Sequence, residues 1–138
     1  MLDFKNYNHD LMVTALQGML GDHLVHGKDF WIGHPITDGE QSGDPFILAW
    51  ACKTVPQPSD EAVHAYFKAN ENTLRALRVR SFRDEALSNS DGRADTPSDA
   101  PASFKAKAAE WAEYRAALRD IPDQPGFPSS IEWPELPV

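Results

Sequence analysis

The stretch SDEAVHAYFKANENTLRALRVRSFRDEAL, residues 59–87, decides the fold class. Val63, Phe67, Leu74 and Leu77, with Tyr66 and Asn70 between them, recur at helical spacing and form one apolar stripe. Ser59 can cap the start by accepting from a free first-turn amide, and Asp60 and Glu61 suit the positive end of the helix dipole. The stripe changes phase after Leu77, where Val79, Phe82 and Ala86 take another face. The helix therefore bends near Arg80 or contacts two partners.

Towards the C-terminus, SNSDGRADTPSDA (88–100) has no periodic signal and reads as an exposed, mobile loop. A second helix follows over about 101–120, with Phe104, Ala108, Trp111, Arg115 and Leu118 on one face and Tyr114 beside them. Pro101 fits its first turn, Asp99 is the better cap, and Ile121-Pro122 closes it. The end, DIPDQPGFPSSIEWPELPV, is extended and proline-rich, with a turn at Pro125-Gly126. Phe127, Ile131 and Trp133 are too apolar for a solvated tail, so it should pack across the helices or onto a partner.

Towards the N-terminus, Val55-Pro56-Gln57-Pro58 is a stiff extended connector. Before it, Phe30–Ile32 and Phe46–Ala51 are aromatic and β-branched runs around a long loop, about Thr37–Pro45, and read as a hairpin. Strict alternation would put Phe46, Leu48 and Trp50 on one face and Ile47, Ala49 and Ala51 on the other. Both faces are apolar, so this strand is expected to be covered on both sides. Residues 8–20 form an amphipathic helix on Leu11, Met12, Ala15, Leu16 and Met19, capped by Asn8 or Asp10 and ended near Gly21.

The expected fold is α+β and mainly helical. An N-terminal helix and β-hairpin (1–58) precede an antiparallel helical hairpin (59–121) and an extended Pro-rich C-terminal strap (122–138), in one compact unit. The 138 residues suit one domain, and there is no apolar run long enough to span a membrane. MLDFKNYNHD has no signal-peptide pattern, and a single cysteine excludes an internal disulfide framework, so the expected compartment is reducing and cytoplasmic. The net charge of −8 excludes a uniformly basic nucleic-acid surface. Residues 59–90 are neutral, with 5 basic and 5 acidic groups, between two acidic ends.

The catalytic patterns are missing. There is no HExxH, CxxC or G-x-S-x-G, and no Gly-rich loop after a strand. His23 and His26 are three apart, with His34 and His64 further on, but Gly21 and Gly27 flank the pair and no full ligand set exists. No metal or cofactor is expected. Cys52, at the end of an apolar strand, reads as a small buried hydrophobe. Arg75, Arg78, Arg80 and Arg83 could bind phosphates or an acidic partner. Pairing with Asp84, Glu85 and the acidic second helix is the preferred reading. Trp111 and Tyr114 read first as core, while Trp133, among prolines, is more open.

The C-terminal stretch EWAEYRAALRDIPDQPGFPSSIEWPELP (110–137) closely resembles the terminal signature of the phage tail assembly chaperone family. The matching residues are Trp111, Tyr114, Arg115, Leu118, Arg119, Asp120, Ile121, Pro122, Gln124, Pro125, Gly126, Phe127, Pro128, Trp133 and Pro134. SFRDEALSNSDGRADTPSDAP resembles the family's Arg-rich helix and loop, so the likeness covers roughly 78–137. One departure stands out: the family commonly has a tryptophan after the Ser-Asp of that loop, and this chain has Gly92. The strand, Pro-Gln-Pro and helix of the N-terminal half also occur in small tail-associated phage proteins.

The resemblance implies a non-enzymatic phage or prophage protein acting in tail or tail-fibre assembly through transient binding in the host cytoplasm. Its partner would be a tail or tail-fibre protein, met through Trp111, Tyr114, Arg115, Phe127, Ile131 and Trp133, with charge contacts from the four arginines. Membrane and nucleic acid are not expected as partners, and homo-oligomers are compatible with the sequence. Two further readings are an acidic inhibitor of a host defence or nucleic-acid enzyme, and a structural component that stays in the tail.

Overall fold

The structure is a computed structural model that describes residues 4–138. It is α+β and mainly helical, as the sequence predicts. Helix α1 is His9–Leu20, and four strands follow: β1 Phe30–Gly33, β2 Ile36–Thr37, β3 Glu40–Gln41 and β4 Phe46–Trp50. Helices α2 (Asp60–Ala69), α3 (Glu71–Asn89) and α4 (Ala102–Arg119) complete the chain, with a 3-10 turn at Ile121–Asp123. Contacts group into two units, one running up to Arg78 and the other Val79–Val138.

The first unit is built on α1, α2 and the hairpin. Asn8 caps α1 by accepting from the Leu11 amide at 3.2 Å, and Ser59 caps α2 by accepting from Ala62 at 3.1 Å. Leu11, Met12, Ala15 and Leu16 from α1 meet Val63 and Phe67 from α2, Leu74 from α3, and Leu24, Phe30 and Ile32. All ten are buried and form one continuous apolar core.

Strand β4 departs from the expectation of two covered faces. It pairs antiparallel with β1, but the register shifts so that Trp31 faces Ala49 and Ile32 faces Ile47, leaving Leu48 as an extra residue. This bulge breaks the two-residue alternation. It turns Ile47 and Trp50, which strict alternation separates, to the same side, where both pack on the core. Leu48 is 60% exposed, and Phe46 and Trp31 are also exposed. One face is therefore open. The loop between β1 and β4 contains a second, small hairpin, β2–β3. Asp38 (φ 53°) and Gly39 (φ 83°) make its two-residue turn with both φ positive, the type I′ geometry that an Asp-Gly pair favours.

The helix predicted over 59–87 is interrupted at Asn70, before the expected bend at Arg80. The Asn70 side chain and amide both donate to the Tyr66 carbonyl, the local bonding by which Asn competes with a continuing helix. Leu74 belongs to the core of the first unit, and Val79 is buried within the second, so the phase change in the apolar stripe falls at the border between units. Leu77, assigned to the stripe, is 52% exposed. Cys52, expected to be buried at the strand end, lies beyond β4 and is half-buried, and a Thr54 hydrogen bond lowers its pKa.

Candidate partner-binding site

The second unit gathers the C-terminal signature. Helix α4 is rich in alanine, the strongest helix former. Pro101 is its cap residue and no side chain caps it, so Asp99 does not take the role predicted for it. Ala108 and Leu118 are buried, as are Val79 and Ile121 of the same unit.

Trp111 is half-buried on α4, with Tyr114 edge-on at 5.6 Å and the Arg93 guanidinium 4.9 Å from its ring centroid. Beside it lies an open cavity of about 250 Å³ lined by Gly92, Arg93, Asp95, Phe104, Lys107, Ala108 and Trp111. Phe104, which the sequence places on the same helix face as Trp111, is 63% exposed at its mouth. Gly92 has φ 79°, a conformation that strains any side chain, and Arg93 next to it covers Trp111. This turn is where the chain lacks the tryptophan common in the resembling family.

Arg115 has an internal role. Its Nη1 donates to the Leu87 carbonyl (2.6 Å) and the Ser90 hydroxyl (2.7 Å), and its Nη2 pairs with Asp91 at 3.0 Å. The guanidinium thus closes the end of α3 and pins the start of a loop that sequence alone reads as mobile. Ser90 is buried as a result.

The strap is folded into a closed loop. The Gln124 side-chain amide donates to the Glu132 carbonyl (2.8 Å) and accepts from the Glu132 amide (2.9 Å), as a paired strand would. Inside the loop the Ser129 and Ser130 amides donate to the Gly126 carbonyl. A Cβ on Gly126 would lie 2.4 Å from the Ser130 carbonyl oxygen, so only glycine fits. Phe127 lies under Arg80, 5.4 Å from guanidinium carbon to ring centroid, and Ile131 and Trp133 are half-buried. Lys107 pairs with Glu110 and donates to the Val138 carbonyl. Leu136 is 65% exposed.

The four arginines have separate partners. Arg75 pairs with Glu71 (3.0 Å) and donates to the Phe4 carbonyl, Arg78 pairs with Asp10 (2.8 Å), and Arg83 pairs with its neighbour Asp84 (2.8 Å). Arg80 faces Phe127. The structure brings Trp111 and Tyr114 together on α4, while Phe127, Ile131 and Trp133 are spread along the strap. Phe104, Arg93 and Lys107 were missed as site residues. Phe104 has the spacing of a core residue, and the other two stand in segments without an apolar pattern around them.

Residues 76–138 match the family model of the phage tail assembly chaperone protein. The match includes the whole second unit, so the likeness read from the C-terminal signature is borne out. Residues 23–74 match a second family model, the XkdW protein. The two matches leave Arg75 between them, inside α3 and close to the border of the two units. No curated protein and no solved structure matches the chain. No helix among the described residues is long and apolar enough to cross a membrane.

Proposed function

We propose that this chain is a non-enzymatic assembly chaperone that binds a phage tail or tail-fibre protein transiently in the host cytoplasm. The chaperone-family match over the second unit carries the reading, and the geometry of that unit supports it. Trp111 and Phe104 border an open cavity, Arg93 and Lys107 add cationic rims, and the strap carries Phe127 and Ile131 within its closed loop and Trp133 just after it. Prolines and the Gln124 clasp limit the freedom of the strap before a partner arrives, so less entropy is lost on docking. An apolar client segment presented during tail assembly would fill the cavity and be kept from aggregating until it is incorporated.

The test uses the tail proteins of the same phage or prophage. The chain should co-purify with one of them from infected cells and be missing from mature particles. Trp111→Ala should weaken that complex by about 2 kcal/mol or more, roughly thirtyfold, as for a buried interface tryptophan. Deleting residues 122–138 should reduce binding more than it lowers the melting temperature. Equal loss of both would make the strap a clamp for its own helices, and stoichiometric retention in the particle would make the protein a structural component.

A further inference from the structure

We propose that the open face of the β1–β4 hairpin, in the first unit, is a docking surface for a basic amphipathic helix of another protein. The register places its residues. Directly paired residues of an antiparallel sheet share a face, as do residues two apart on one strand. Trp31 pairs with Ala49 and Gly33 with Phe46, so Trp31, Ala49 and Phe46 stand on one side. Leu48, the bulged residue, joins them. A Cβ on Gly33 would lie 2.8 Å from Leu48 Cδ1, so the bare glycine is where Leu48 rests. Trp31, Phe46, Leu48 and Ala49 are all exposed, while Phe30, Ile32, Ile47 and Trp50 pack into the core on the other face. Apolar side chains gathered on one exposed face mark an interaction surface, as singly scattered ones do not.

Charge and blocked edges select the occupant. Residues 29–52 carry Asp29, Asp38, Glu40 and Asp44 and no lysine or arginine, so half of the net charge of −8 sits in this segment. Asp38, Glu40 and Asp44, in the connection between β1 and β4, are exposed, and none forms an ion pair with a described residue. Lysine or arginine on a partner would answer these carboxylates, and a cation can also sit over the exposed Trp31 ring. On β1 the Phe30 carbonyl accepts the Gly27 amide and His26 accepts the Ile32 amide, and on β4 Asp60 accepts the Ile47 amide. An added strand would find these edge groups taken. A helix satisfies its own backbone and can lay an apolar stripe across Trp31, Phe46 and Leu48, with its cations towards the acidic connection. All these residues belong to the first unit, and none lines the Trp111 cavity.

The test is calorimetric titration of the full chain with a leucine–lysine peptide of about five helical turns, its leucines on one face, and with the leucine–glutamate counterpart. The lysine peptide should bind saturably at one per chain, and the glutamate peptide roughly tenfold more weakly or worse. Leu48→Ser and Trp31→Ser should each weaken binding about fivefold or more. Leu77→Ser, at an exposed leucine of α3, should leave it unchanged. Asp38→Asn, Glu40→Gln and Asp44→Asn together should narrow the gap between the two peptides and flatten the salt dependence. These three sites are exposed, so that variant decides the matter even where a strand substitution disturbs the hairpin. Equal binding of both peptides, or full affinity in Leu48→Ser, would overturn the surface. So would a dimer of the chain alone in sedimentation that Leu48→Ser abolishes, because a second copy would then be the occupant.

Discussion

Tyr7 stacks on Phe67 with ring centroids 4.1 Å apart and meets His64 edge-on at 5.4 Å. Its hydroxyl is shielded from solvent without a hydrogen-bond partner, and burial, with Asp44 and Asp60 adding to it, raises its pKa above the usual phenol value of 10.0. The sign follows. Above about pH 10 the unfolded chain loses this proton while the folded chain keeps it, so stability falls as pH rises through that range. Tyr7→Phe should flatten the alkaline fall in unfolding midpoint. At neutral pH it should be neutral or stabilising, because an unsatisfied buried hydroxyl is removed. Denaturant melts at pH 7 and pH 10.5 read both effects. The cost of Tyr7 was illegible in the sequence, where it stood outside every periodic segment.

At the level of elements, the hairpin shows where sequence reading succeeds and where it stops. The strands and their pairing were legible from β-branched and aromatic runs. The single-residue bulge at Leu48 was not, because alternating and bulged registers draw on the same apolar letters. The Asp-Gly pair did carry a hairpin signal, and reading 37–45 as plain loop passed over it. The sheet's edges are blocked by side chains: Asp60 Oδ1 accepts the Ile47 amide at 2.9 Å, and His26 Nε2 accepts the Ile32 amide at 3.1 Å. Such blocking keeps an exposed edge from recruiting another strand. Asp60→Ala removes that acceptor and a first-turn acid of α2, and should cost about 1–3 kcal/mol. It should also increase self-association at high concentration, measured by light scattering against Asp60→Asn, whose amide oxygen still accepts.

For the whole molecule, the chaperone-family match covers the second unit and the XkdW match lies inside the first, beginning after α1. Each contains its own buried residues: Phe30 and its neighbours in one, Leu118 and Ile121 in the other. Phe30→Ala should cost about 3–5 kcal/mol, as for a fully buried aromatic side chain. Hydrogen exchange should speed up across α1 and β1 while the amides of α4 keep their protection. Equal acceleration in α4 would show that the chain unfolds as one body. The helical character and, Phe104 apart, the aromatic members of the candidate site were readable from the sequence. The division of α3 between two bodies left only a phase change after Leu77. The cavity at Trp111 left less, since it depends on how the turn at Gly92 aims Arg93.

The clasp between Gln124 and Glu132 spans only eight residues of chain. Closing so short a ring carries a small entropic penalty, and its two hydrogen bonds draw on no distant element. The outline of the ribbon is therefore written in its own residues and held locally.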